Sequence, residues 1–181
     1  NDPRKNIGLL LNAYGMLPES VRNHVRLVLA GPSRPLPAFW ARVEMLGVAR
    51  SIEYVAEPSI DQLVELYQHA SVFALPSDEE GFGVVLLEAM ACGIPVVTTR
   101  SGGPDGIVTD GSDGFLVALD NAPAMAGRLE TLLQRTDVNL AMGRQARRTI
   151  ESRYSEGVAG EVFLNVWDRL LANGEAVSCA G

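Results

Sequence analysis

Sulfur and imidazole are scarce in this sequence: two cysteines and two histidines occur among 181 residues. Cys92 and Cys179 lie far apart and have no Cys or His neighbour at metal-ligand spacing, which excludes a zinc motif and a disulfide framework as organising features. A reduced, cytoplasmic setting is the simplest reading. Long apolar runs are absent as well. The longest, such as 72–75 and 84–87, fall far short of the roughly 18 residues that a membrane span requires, and no signal-peptide pattern is visible. Positive charge is in short supply: 15 Lys and Arg oppose 22 Asp and Glu, a formal balance of −7 with a pI near 4.8. Phosphate neutralisation along a nucleic acid needs clustered Lys and Arg, so that class of partner is excluded, while a local site for a small anion is not. No Gly-x-Gly-x-x-Gly follows a strand pattern, which disfavours a nicotinamide-dependent enzyme.

What the sequence does have is core-forming material. It is 47% hydrophobic and 20% charged, with mean hydropathy +0.11. At this length folding buries roughly 70% of the extended chain's surface, so one ordered domain over residues 1–171 is expected, followed by a small polar tail at 172–181 that is expected to be mobile. The chain opens on Asn1-Asp2-Pro3-Arg4-Lys5-Asn6 and enters a helical pattern at once, which suggests a start inside a longer polypeptide.

Leu10, Leu11, Tyr14 and Leu17 recur at three- and four-residue intervals behind Asn6, a good N-cap, and predict an amphipathic helix. Further helices are predicted over 37–46, after the capping box Ser59-x-x-Gln62, over 84–92, and over 123–134, 138–153 and 157–171, with a short helix or turn near Ile107. The last carries Val158, Val162, Val166 and Leu170 at helical spacing. Between them stand short, continuously apolar runs at 26–30, 52–55, 72–75, 95–98 and 115–117. Strands of that kind alternating with helices indicate a parallel sheet covered on both faces, a doubly wound α/β domain. The strand expected ahead of the first helix is missing.

The chemistry concentrates in the segment 80–93, EGFGVVLLEAMACG. Gly81 and Gly83 permit a tight turn and close backbone approach at a strand-to-helix junction, where the helix offers unpaired N–H groups and positive partial charge. Such a junction at the carboxyl end of a parallel strand suits a diphosphate. Glu80 before the helix and Glu88 one turn inside it would sit badly against the phosphates themselves. Carboxylates accept hydrogen bonds from hydroxyls, so a sugar on one side and a ribose on the other fit them better. Glu88 also stands on a very apolar helix and needs a partner. Backbone groups or an Arg would satisfy it in the structural alternative, and Glu80 beside Asp78 and Glu79 would then belong to a solvated acidic loop.

The two glutamates in this spacing, with Leu75-Pro76-Ser77 before them and Ala91-Cys92-Gly93-x-Pro95-Val96-Val97 behind, resemble a known family. Gly102-Gly103-Pro104, Asp110-Gly111-x-x-Gly114-Phe115 and the Pro3-Arg4-Lys5-Asn6 loop complete the pattern. It is that of the carboxy-terminal domain of family-4 retaining glycosyltransferases with the GT-B fold, and the likeness runs from residue 2 to about residue 170. It implies a Rossmann-like domain, one half of a GT-B fold, that binds a nucleotide sugar (UDP-, GDP- or ADP-linked). It also implies transfer of a hexosyl group with retention and without a required metal or other cofactor. Consistent with the last point, no Asp-x-Asp lies at a strand end.

Carried over by position, the resemblance makes Lys5 and Glu80 catalytic. Arg4, Lys5, Glu80, Gly81, Phe82, Gly83, Val84, Val85 and Glu88 would bind the donor, with Glu88 on the ribose hydroxyls. Tyr54, Val55, Ala56 and Leu63 would lie near the base. Ala56 departs from the family's usual glycine, and the Gly-Arg expected before Asp2 is absent, which implies weaker nucleotide binding by this chain. An amino-terminal domain, also absent, would supply much of the acceptor site. The Pro3–Asn6 loop leans towards a mannosyltransferase-like relative. A non-catalytic nucleotide-binding or interaction module of the same fold is the competing expectation. Elsewhere, His24 and His69 read as surface residues, Cys92 as a small core residue, Trp40 and Trp167 as packing residues, and Arg144, Arg147, Arg148 and Arg153 as a solvated basic face.

Overall fold

Asn6 starts the first helix as its spacing predicts: its side chain accepts a hydrogen bond from the amide of Leu9 at 3.1 Å, and α1 runs Ile7–Met16. The computed structural model describes residues 2–32, 35 and 37–172. Along it follow α2 (Glu19–Arg22), β1 (Leu27–Gly31), α3 (Pro37–Met45), β2 (Ile52–Ala56), α4 (Ile60–His69) and β3 (Phe73–Leu75). Then come α5 (Val84–Ala91), β4 (Val96–Thr99), α6 (Gly103–Ile107), β5 (Gly114–Val117), α7 (Ala122–Gln134), α8 (Thr136–Arg153) and α9 (Glu156–Ala172). The alternation of strand and helix is the expected one. Three short elements were not expected from the sequence: the one-turn helix α2 and the 3₁₀ turns at Pro3–Lys5 and Ala49–Ser51. The tail beyond residue 172 lies outside the described residues.

All strand pairs are parallel, but the strands form two sheets rather than one. β1 pairs with β2 from Leu27↔Ile52 to Gly31↔Ala56, and β3, β4 and β5 form a second sheet in that order. The parallel, helix-covered α/β architecture is the expected one, with its ladders in two groups. Side chains hold the two together. Leu27, Leu29 and Ile52 from the first sheet pack on the same buried group as Val97, Phe115 and Val117 from the second, a group that also takes in residues of α1 and α7. Burial on both strand faces holds for β4 and β5, whose residues are all buried, and fails for β1, which alternates and leaves Val28 and Ala30 exposed.

A second buried group gathers Leu86, Ala89 and Met90 of α5 with Ile94, Val96, Ile107, Leu116 and Ala146, and Leu63 and Phe73 pack against it. Cys92 is not in it. Cys92 follows the last residue of α5 and is exposed, correcting the core assignment. The two tryptophans are likewise only partly packed: Trp40 meets Phe39 edge-on at 4.9 Å yet is 39% exposed, and Trp167 is 53% exposed. On α9, Val166 is exposed, while the side chains of Val162 and Leu170 lie outside the described residues. His24 and His69 are exposed, as read. Arg144 and Arg148 are exposed too, whereas Arg147 and Arg153 donate to the carbonyls of Ala91 and Gly106. Among the described residues no helix is long and apolar enough to cross a membrane.

Candidate functional site

The site is assembled around the 3₁₀ turn Pro3–Lys5. The Asp2 carboxylate accepts from the Arg4 amide at 3.0 Å and caps the turn, and Asn6 closes it in the left-handed region, φ 38°. Asn6 can hold that conformation at small cost because its amide makes local hydrogen bonds. Its Nδ2 donates to Asp78 at 2.6 Å and to Asp120 at 3.4 Å, and the Asp78 amide donates to the Arg4 carbonyl at 2.7 Å. The loop after β3 is thereby stitched to the turn. Lys5, the one lysine in the sequence, then reaches Glu80, its Nζ donating to Oε2 at 2.5 Å across 75 residues of chain. The Glu80 side chain is 14% exposed and that of Lys5 43%, so this pair is screened less than a surface bridge. Glu80 is therefore no member of a solvated acidic loop.

Backbone bonds fix Glu80 from behind. Its amide donates to Ser101 at 2.9 Å and its carbonyl accepts from Gly103 at 2.7 Å, a short parallel bridge beside Gly102. Gly102-Gly103-Pro104 thus lines the site, and Gly103 has to be glycine: a Cβ there would stand 2.5 Å from the Phe82 carbonyl oxygen. Gly81 and Phe82 are exposed on the turn that follows. Gly83 caps α5 at φ 95° with no side-chain hydrogen bond to the helix's first amides, Val84 is exposed and Val85 is partly buried. An uncapped helix start beside the sole lysine is where a phosphate would be received.

Glu88 sits one turn inside α5, partly buried, and finds neither an Arg nor a backbone group. Its Oε2 accepts from the Tyr67 hydroxyl of α4 at 2.8 Å. Burial, then the bond to Glu88, push the Tyr67 phenol well above its ordinary pKa, so it remains a donor through the neutral range. Tyr67 is a site residue that the sequence motifs did not single out. The available signal was that a buried tyrosine needs a partner for its hydroxyl.

The remaining assignments are less convergent. Arg4 forks onto Asp2 at 2.8–3.2 Å, and that hydrogen bonding holds the Asp2 carboxyl below its usual range and raises the guanidinium, both at the surface. Tyr54, Val55 and Ala56 do lie at the carboxyl end of β2, but they do not present one surface. The Tyr54 hydroxyl stands where a Gly31 Cβ would approach to 2.8 Å, whereas Val55 lines a shallow hollow of about 270 Å³ with Gln62, Glu65, Leu66 and His69. Leu63 is half-buried against the α5 core. Among the described residues no three His, Cys, Asp or Glu side chains gather as metal ligands would.

Comparison with known proteins fits this geometry. Residues 2–149 match the family described as Glycosyl transferases group 1. A D-inositol 3-phosphate glycosyltransferase from Corynebacterium urealyticum is 41% identical over 112 residues, 62% of this chain and 26% of that protein. Its counterpart from Saccharomonospora viridis is 33% identical over 179 residues, 94% of this chain and 41% of that protein. Among solved structures, sucrose-phosphate synthase from Thermosynechococcus elongatus superposes with TM-score 0.83 at 26% identity, over 96% of this chain and 44% of the synthase. Anabaena HepE, solved with UDP and glucose, superposes with TM-score 0.82 at 22% identity over 94% of this chain and 46% of its own. The chain spans less than half the length of these relatives. With the family pattern covering residues 2–149, the chain belongs to the glycosyl transferases group 1, and its fold is the Rossmann-like half of a GT-B architecture.

Proposed function

We propose that this chain is the nucleotide-sugar donor-binding domain of a retaining glycosyltransferase that moves a hexosyl group, of mannosyl type by the likeness of its Pro3–Asn6 loop, to a glycan, lipid or small-molecule acceptor. The observation that carries the reading is the pairing of Lys5 with Glu80 at 2.5 Å beside the uncapped start of α5. Lys5, Arg4 and the amides from Gly81 to Val85 receive the diphosphate. Glu80 accepts from hydroxyls of the donor sugar and Glu88 from those of the ribose. In transfer, the bond between the anomeric carbon and the diphosphate oxygen breaks, its electron pair leaving with the diphosphate. The acceptor oxygen forms its bond on the same face of the sugar as its O–H bond breaks, the proton passing to the departing diphosphate oxygen. Lys5 and the helix start oppose the charge that develops on the leaving group, which is why this reading requires no metal. That Anabaena HepE was solved with UDP supports the ligand class. The acceptor side is assigned to an amino-terminal domain of a longer cytoplasmic polypeptide. Without such a partner domain, this domain would bind nucleotide without useful turnover, because it forms only one side of the cleft that excludes water.

Calorimetric titration with UDP, GDP, ADP and NAD, on the wild type and on Glu88→Ala, tests the proposal. Selective binding of one nucleoside diphosphate, weakened by the substitution, is expected. Saturable binding of NAD alone, or no nucleotide binding by any polypeptide containing this domain, would refute it. Binding by the full-length protein without glycoside formation across a broad acceptor screen would favour a non-catalytic module.

A further inference from the structure

Glu88 is the one ionised group proposed to read the ribose, and what it can read depends on how its carboxylate is turned. A free Glu side chain on a helix samples several rotamers, and ordering it on binding costs roughly 1.5–2 kcal/mol. In this fold it is not free. The Tyr67 hydroxyl donates to Oε2 at 2.8 Å, and among the described residues no group hydrogen-bonds to Oε1. Tyr67 itself has little latitude. It is 8% exposed on α4, and its ring lies 5.7 Å from that of Phe73 on β3. A capping box at Ser59 and Gln62 anchors the start of α4.

We infer that Tyr67 is a positioning residue for ribose recognition: by engaging Oε2 of Glu88, it presents Oε1 to the vicinal hydroxyls of a nucleoside diphosphate. The inference rests on the assignment of Glu88 to the ribose. A carboxylate oxygen that already accepts one bond retains a lone pair, so both hydroxyls of a cis-diol can still be met. The phenol acts through Glu88 and touches no ligand atom. It does not titrate in the neutral range, so its effect is constant with pH there.

The test is calorimetry on the wild type, Tyr67→Phe and Glu88→Ala, each with UDP and GDP and with their 2′,3′-dideoxy counterparts. A positioning role predicts that Tyr67→Phe weakens the ribonucleotide by about ten- to thirtyfold, the cost of ordering a freed Glu88 side chain on binding. Binding of the dideoxy compound should be unchanged. A packing role would weaken both alike and lower the melting temperature in step. If Glu88→Ala abolishes the preference for ribose and Tyr67→Phe leaves it intact, the inference fails while the assignment of Glu88 stands. If Glu88→Ala leaves the preference intact, that assignment fails. Should the wild type bind none of these nucleotides, crystal structures of wild type and Tyr67→Phe decide without a ligand. A Glu88 carboxylate turned or disordered in the variant supports the inference, and one left in place overturns it.

Discussion

Replacing Gly103 by alanine adds one methyl group and should disturb the candidate site from outside it. The new Cβ would stand 2.5 Å from the Phe82 carbonyl oxygen and 2.6 Å from the Phe82 carbonyl carbon and Cα. Ordinary contact begins near 3.4 Å, so the two backbones must separate by about 0.9 Å (3.4 − 2.5). Nothing flexible can yield, because the opposing atoms are all main chain. The separation stretches the 2.7 Å bond from the Gly103 amide to the Glu80 carbonyl and moves the Gly81–Gly83 turn that starts α5. Overpacking of this kind costs about 1–3 kcal/mol, and a weakened buried hydrogen bond adds about 1. Gly106 is the internal control. It belongs to the same short helix, has no atom within 4 Å of the place a Cβ would take and has no left-handed φ, so Gly106→Ala should stabilise by about 0.5–1 kcal/mol. Urea unfolding of both variants gives the stabilities, and titration with the preferred nucleoside diphosphate gives the effect on the site. Gly103→Ala should lose about 2–4 kcal/mol and bind at least tenfold more weakly. A variant as stable as wild type with unchanged affinity would refute the claim that this glycine sets the position of the loop.

Asn6 holds a left-handed residue, a helix cap and the link to Asp78 at once. Asn6→Ala should therefore cost about 2–3 kcal/mol in urea unfolding, and Asn6→Gly less, since glycine removes the backbone strain. Tyr67 binds its proton more tightly folded than unfolded, where its pKa is near the ordinary value of 10.0. Its contribution is thus complete below about pH 10 and declines above it by at most about 1.4 kcal/mol per pH unit. The stability gap between wild type and Tyr67→Phe should narrow between about pH 9 and 11, and a constant gap would contradict the shift. Cys92, exposed at the end of α5, should react with an aromatic disulfide reagent in the native state of a Cys179→Ser background, without denaturant.

Local signals were readable where the chain satisfies itself. The capping box before α4, the Asn6 cap and the turn at Gly83 each lie within a few residues of the helix they start, and all three appear where the sequence placed them. Partners brought in from afar were not readable. Glu88 advertised its need for a partner, but nothing in its own helix named a tyrosine 21 residues earlier, and Lys5 meets Glu80 only because the loop after β3 is sewn to Pro3–Asn6. Cys92 misled for a different reason. Apolarity on all sides of α5 suggested burial throughout, yet Val84 at its start is 56% exposed and Cys92, just past its end, is exposed too. The alternating burial of β1 was equally hidden, because its apolar run is as continuous as those of β4 and β5.

The split of the strands into two sheets bears on how the molecule comes apart. Main-chain bonds bind β1 only to β2, while apolar contacts with α1, α7 and the far sheet secure the pair to the rest. Those contacts are additive and weakly directional, so they can be given up together without breaking any ladder. Hydrogen exchange should therefore show the β1–β2 amides opening ahead of those of β3–β4–β5, and equal protection of the two groups would contradict this reading. The loop carrying Glu80 and the start of α5 are built on the sheet that stays. Lys5 and Asn6 are sewn to that loop as well. A breathing motion of the first sheet would reach the Tyr54–Ala56 end of the cleft and leave the Lys5–Glu80 end closed.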